Sequence, residues 1–224
     1  MSYDPTEPTE LNTRNSALVL IDHQPGVALM TAPPSHADLI NSVAGLAEAA
    51  KALNVPTVLT TVGATGGPLV DPLFNEISAA FPDLTPIDRT STAAWANPEV
   101  RAAVAATGRR KLVMAGLSTD VCLAQAVLGA LKDDYEVFFV PDCSAGVTRE
   151  AHEDAKTRLT MAGARPINWQ AVVSEWAPDY TEPERTAVTP VLIRRGGASA
   201  LYMDFVLDQV SEGVVKAPEY LREA

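Results

Sequence analysis

Residues 111–131 read KLVMAGLSTDVCLAQAVLGAL, and this stretch decides the fold. It opens with a continuous apolar run, 111–117, too short for a helix and without alternation. That is the pattern of a strand buried on both faces. The chain then passes through Ser118, Thr119 and Asp120 and enters a helical pattern over 121–133. A buried strand turning directly into a helix is one step of a parallel sheet covered by helices.

The same step recurs in both directions. Apolar runs at 17–21 (ALVLI), 56–62 (PTVLTTV), 136–140 (EVFFV) and 164–169 (ARPINW) alternate with helical patterns at 37–53, 97–107 and 149–161. In the first of these helices Leu39, Ile40, Val43, Leu46, Ala47 and Ala50 recur at helical spacing. Asn97-Pro98 reads as a cap followed by proline in the first turn, and Gly108 and Gly163 stand where helices end. The order predicts an α/β fold with a mostly parallel sheet and helices on both faces. Residues 63–96 interrupt it. They are rich in Gly, Pro and Thr, with a short helix expected near 74–80 and a short strand near 84–89. After Trp169 the chain reads as a helical segment at 171–176, a proline-containing connector, and a helical stretch at 199–211. No domain boundary is visible. Residues 1–224 read as one domain, with 1–14 a loose arm and 177–224 a C-terminal extension that packs on its own domain or reaches a neighbouring subunit.

A hydrophobic share of 47% over 224 residues supports one sizeable core. The net charge of −11 repels phosphate backbones and anionic lipid, so nucleic acid and membranes are poor partners. No apolar run is long enough to cross a bilayer, and the polar N-terminus lacks a secretory h-region. With only two cysteines, the chain reads as a reduced, cytoplasmic protein with both thiols free. His23, His36 and His152 lack metal-ligand spacing and neither cysteine has a CxxC partner, so no metal and no cofactor are expected.

Ligands of open parallel sheets bind outside the carboxyl ends of the strands. Asp22, His23 and Gln24 follow the first run, Asp88 and Arg89 the short strand, and Gly116 to Cys122 the deciding run. Asp142 and Cys143 follow the fifth. Cys122 falls in the first turn of a helix, where backbone N–H groups and the dipole favour a thiolate and can hold an oxyanion. It reads equally as a small buried hydrophobe. Asp22, at the end of an apolar strand, needs a partner or a function: a base for Cys122, or a cap or ion pair with Arg89. Arg89 supplies positive charge to the same pocket or is a surface arginine. It cannot give up its proton. Trp95, in the long loop, is the one tryptophan placed to meet a ligand, and Cys143 reads as structural.

ALVLIDHQPG, AGLSTDVCLAQAVLGAL and EVFFVPDCSAG, in this order and separation, resemble the signatures of isochorismatase-like cysteine hydrolases. The resemblance runs from about Ala17 to Trp176. DHQ and the segment ending INWQAVVSEW look most like the YcaC-type branch. The resemblance implies a three-layer α/β/α, Rossmann-like fold with six strands in the order 3-2-1-4-5-6. It implies an Asp, Lys and Cys triad, of which Asp22 and Cys122 match two members while Arg89 stands where the lysine usually does. It implies a cis peptide at Leu117-Ser118, with the N–H groups of Ser118 and Cys122 facing the oxyanion. By their positions near the strand ends, Leu117, Gln24 and Trp95 read as substrate contacts. The activity expected is hydrolysis of a small amide or related C–N bond through a thioester, in a homo-oligomer acting on a small-molecule substrate. Two other readings stay open: a thiol redox protein using Cys122 with Cys143, and a non-catalytic oligomeric scaffold.

Overall fold

The computed structural model describes residues 10–32, 34–65 and 71–211. Six strands lie among them: β1 (Ser16–Ile21), β2 (Thr57–Val62), β3 (Ile87–Arg89), β4 (Lys111–Gly116), β5 (Glu136–Phe139) and β6 (Arg165–Pro166). They form one parallel sheet in the order β3-β2-β1-β4-β5-β6. Its centre is β1, buried along its whole length between β2 and β4. Leu18 and Leu20 face one apolar layer, while Ala17, Val19 and Ile21 face the other. This is why the run is apolar at every position rather than every second one. Each fully buried Leu or Ile stabilises the fold by about 1.5–3 kcal/mol.

On the first layer lie α1 (Pro25–Ala28), α2 (His36–Ala52), α3 (Asn75–Ala80), α7 (Trp169–Trp176) and α8 (Pro183–Arg195). On the second lie α4 (Pro98–Ala106), α5 (Ala124–Lys132) and α6 (Arg149–Met161). The last element, α9 (Ala198–Ser211), packs on α8. The helix starts follow the expected chemistry. Asn97 Oδ1 accepts from Glu99 N at 2.7 Å, and Thr148 Oγ1 accepts from Ala151 N at 3.0 Å. Gly116 allows β4 to end against β1, because a Cβ there would lie 2.8 Å from Ile21 Cβ.

Three expectations are corrected. Residues 10–14 are not loose: Leu11 is fully buried in the first core layer, and its N–H donates to Glu175 Oε2 at 2.8 Å. Residues 1–9 of the expected arm lie outside the described residues. The connector after 176 is instead helix α8, despite Pro190 in its interior. Val188, Val191 and Leu192 bury one face of α8 in the first core layer. Asn41 Nδ2 donates to Arg195 O at 2.9 Å, and Glu48 pairs with Arg194 and Arg195 at 2.7 and 2.8 Å. Tertiary packing on α2 offsets a proline cost of about 3 kcal/mol. The start of the C-terminal extension therefore packs on its own chain, and residues 212–224 lie outside the described residues. The run expected at 164–169 is a strand only at Arg165–Pro166, on the sheet edge where proline is tolerated.

Candidate active site

Asp22 follows β1 directly. Strict alternation would point it to the Leu20 face. Its left-handed backbone, φ 57°, turns the carboxylate instead to the opposite face, that of Thr60 and Arg89. A non-glycine residue there is uncommon, and aspartate is among the few that tolerate it. The side chain is fully buried. Oδ1 accepts from Thr60 Oγ1 at 2.9 Å and from Arg89 Nη1 at 2.6 Å, and Oδ2 accepts from Arg89 Nη2 at 2.5 Å.

Arg89 ends β3, and its register against Val62 brings it to the same edge. The guanidinium is 2% exposed and grips Asp22 with both terminal nitrogens. Nη1 also donates to Thr61 O at 2.9 Å and Nη2 to Thr92 O at 3.4 Å, while Nε is buried without a partner. A bidentate pair of this kind fixes orientation as well as charge. Asp88 next to it holds the following loop, accepting from Ala64 N and Thr65 N at 3.0 and 2.9 Å.

Cys122 comes from the turn after β4. The peptide between Leu117 and Ser118 is cis, as the resemblance implied. Thr119–Leu123 then form a π turn, with Leu123 N donating to Ser118 O at 3.1 Å, before α5 begins at Ala124. Such wide turns recur at functional sites. Cys122 is 7% exposed. The Asp22 carboxylate, the Arg89 guanidinium and the Ser118 N–H all act on its thiol. The expected lowering of its pKa is corrected here. Burial first, then the charge of Asp22, push the thiol up to about 12, against the opposing pull of Arg89 and of the Ser118 N–H. Cys122 does not open an α-helix, and the anion beside it outweighs the cation.

Asp22, Arg89 and Cys122 thus meet, and Ser118 lies with them. Three other residues singled out in the sequence do not. Gln24 is fully buried as a clamp between strand ends: Oε1 accepts from Val62 N at 2.8 Å, and Nε2 donates to Asp71 O at 3.0 Å. Trp95 packs on Gly129 and Tyr135, and its Nε1 donates to Asp133 Oδ2 at 2.8 Å. Gly129 lies seven residues past Cys122, about 10 Å along a helix. The Leu117 side chain is buried in the first core layer, on the other side of the sheet.

His23 points away from Asp22, with Nε2 2.8 Å from Cys143 O; burial lowers its pKa to about 4, so it stays neutral. Cys143 belongs to the first core layer and Cys122 to the second. The two sulfurs lie on opposite faces of the sheet, so a redox role pairing them has no geometry. Among the described residues no three His, Cys, Asp or Glu side chains cluster as metal ligands. Two features escaped the sequence reading. Thr60 supports Asp22, and its signal was a hydroxyl inside the buried run TVLTTV. Thr92 and Gln125 are exposed and joined by a 3.3 Å hydrogen bond. Thr92 O also accepts from Arg89 Nη2, which places the pair beside the ion pair.

The model of the isochorismatase domain matches residues 16–171. The chain belongs to the isochorismatase family. Probable hydrolase YcaC of Escherichia coli is 36% identical over 173 residues, which cover 76% of this chain and 81% of that one. A solved structure of YcaC from Pseudomonas aeruginosa, with hexane-2,5-diol and covalent acrylamide, superimposes with a TM-score of 0.83 at 32% identity, covering 92% of this chain and 99% of that one. The Escherichia coli YcaC crystal structure, described as an octameric hydrolase of unknown specificity, gives 0.82 at 31% identity over 90% and 98%. The chain is an isochorismatase-family hydrolase of the YcaC type, built on the cysteine-hydrolase fold.

Proposed function

We propose that the chain hydrolyses a small amide, or a related C–N bond, through a thioester on Cys122. The convergence of Asp22, Arg89 and Cys122 at the carboxyl ends of three strands carries this reading. The resting nucleophile is a buried thiol beside a carboxylate. Asp22 takes its proton as the sulfur attacks the carbonyl carbon, so a free thiolate need not accumulate. The Ser118 and Cys122 N–H groups receive the oxyanion. As the tetrahedral intermediate collapses, the C–N bond breaks and Asp22 gives the proton to the leaving amine. It then takes a proton from water as the water oxygen attacks the thioester, and on collapse returns that proton to the departing Cys122 sulfur, releasing the carboxylic acid and restoring thiol and carboxylate.

Arg89 moves no proton. Its two bonds hold the Asp22 carboxylate and leave it a face toward the sulfur, a task an ammonium would do with one contact. The relative carrying covalent acrylamide supports a reactive nucleophile in this branch, since acrylamide is an alkylating electrophile. We propose further that the chain assembles with copies of itself. The octameric relative supports this, as do Leu201, Tyr202 and Phe205 of α9, exposed by 72, 65 and 60%. Light scattering on the purified chain tests it, and a monomer at micromolar concentration refutes it.

The hydrolase reading is tested by screening small amides for amine release. Cys122→Ser, with its fold retained by circular dichroism, is expected to lose all turnover. Turnover equal to the wild type overturns the reading.

A further inference from the structure

His152 takes no part in the proposed chemistry, yet it reaches the turn that carries the nucleophile. It sits in the first turn of α6 and is 6% exposed. Its Nδ1 lies 2.9 Å from Oγ1 of Thr119, which is fully buried. Gly146 makes this approach possible, since a Cβ there would lie 2.9 Å from N, Cα and Cβ of His152. The loop containing Gly146 also grips the turn directly. Thr119 N donates to Ala145 O at 2.8 Å, and Val147 N donates to Asp120 Oδ1 at 3.2 Å. Thr119 is therefore held through both its N–H and its hydroxyl. The next residue back, Ser118, closes the turn around the nucleophile: its carbonyl accepts from Val121 N and Leu123 N, on either side of Cys122, at 3.2 and 3.1 Å.

The ring's charge state favours one direction for this bond. Burial and Lys156 lower the His152 pKa from its usual 6.5, against Glu153 on the same helix and Asp120 on the turn. At neutral pH the ring is uncharged. With its proton on Nε2, it accepts at Nδ1 from the Thr119 hydroxyl.

We propose that His152 is a positioning residue for the nucleophile: by holding the Thr119 hydroxyl it fixes the π turn that carries Cys122 and keeps the sulfur near the Ser118 N–H. The inference rests on Cys122 being the nucleophile of the proposed hydrolysis. His152 acts through Thr119 and touches no reacting atom. Its loss frees the turn, weakens the N–H contact and leaves the developing thiolate less stabilised.

The test is the second-order rate of Cys122 alkylation by iodoacetamide from pH 7 to 10, mapped by peptide mass spectrometry, in the full chain with thermal melts alongside. His152→Leu removes the bond, while His152→Asn sets an amide near the Nδ1 position. Leucine is expected to slow alkylation at pH 8 by about tenfold, the worth of one hydrogen bond, and asparagine to restore it to within about threefold at a similar melting temperature. A folded His152→Leu that reacts as fast as the wild type, or faster, overturns the inference. Should it fail to fold, Thr119→Val breaks the same bond from the other side, with the same slowing expected and a wild-type rate as the refutation. An unreactive Cys122 in the wild type overturns the nucleophile reading and this inference with it. A reactive wild type beside an equally reactive variant overturns the inference alone.

Discussion

Replacing Asp22 with asparagine separates what this residue does to the resting thiol from what it does in turnover. The Cys122 thiol is held at about 12, and Asp22 contributes to this twice, by charge and by hydrogen bond. Such a thiol is about one part in ten thousand ionised at pH 8, where a free cysteine of pKa about 8.5 is roughly one quarter ionised. Asparagine keeps an acceptor for the Thr60 hydroxyl but removes the negative charge, leaving Arg89 unneutralised beside the sulfur. A unit charge on the order of 4 Å away, in an effective dielectric of about 20, is worth about 4 kcal/mol, and about 1.4 kcal/mol is tenfold. Iodoacetamide should therefore alkylate Cys122 at least about tenfold faster in Asp22→Asn at pH 8, while amide hydrolysis falls to background. Urea unfolding should show a loss of about 3–5 kcal/mol from the uncompensated buried arginine. Unchanged or slower alkylation in the folded variant would refute the electrostatic reasoning.

Arg89→Lys keeps the charge but can hold only one carboxylate oxygen. Denaturant unfolding should show a loss of about 1.5–3 kcal/mol, with hydrolysis reduced but present. On the far side of the sheet, burial raises the Asp142 pKa to about 6, against the Trp169 N–H. The native state then holds this proton more tightly than the unfolded chain, so stability falls as pH rises from about 4 to 6, by at most about 3 kcal/mol. Melting curves of Asp142→Asn should lose that slope and lie above the wild type at pH 7. Gly129→Ala puts a Cβ 2.6–2.8 Å from Trp95 Cδ1, Cγ and Cβ. Calorimetry should record a destabilisation of about 1–3 kcal/mol with alkylation of Cys122 little changed, as expected if Trp95 is core rather than site.

The parts of the fold legible in the sequence were those that bury apolar residues regularly. The runs around Val19, Val113 and Phe138 became central strands because a parallel strand covered on both faces has no polar side to show. Helix α8 was missed although Val188, Val191 and Leu192 have helical spacing, because Pro190 breaks the local rule and only packing on α2 overrides it. The site was legible as positions: strand ends carry Asp22, Arg89 and Cys122, and the sheet order makes them neighbours. Its electrostatics were not. Whether Cys122 is a thiolate or a raised thiol depends on how close Asp22 comes and how dry the turn is, and neither is written in spacing. Gln24 and Trp95 were misplaced for a related reason. A polar or aromatic residue close to the site in sequence can turn inward, and only the hydrogen bonds of Gln24 to Val62 N and of Trp95 to Asp133 Oδ2 reveal that.

The most direct test of the central claim is to trap the acyl-enzyme. The chain is incubated with p-nitrophenyl acetate and with amides from the screen, quenched in acid, and digested for peptide mass spectrometry. An acyl group mapped to Cys122, decaying with time and absent in Cys122→Ala, is the predicted result. Hydrolysis that proceeds with no acyl group on Cys122, or with one on another residue, would contradict the account.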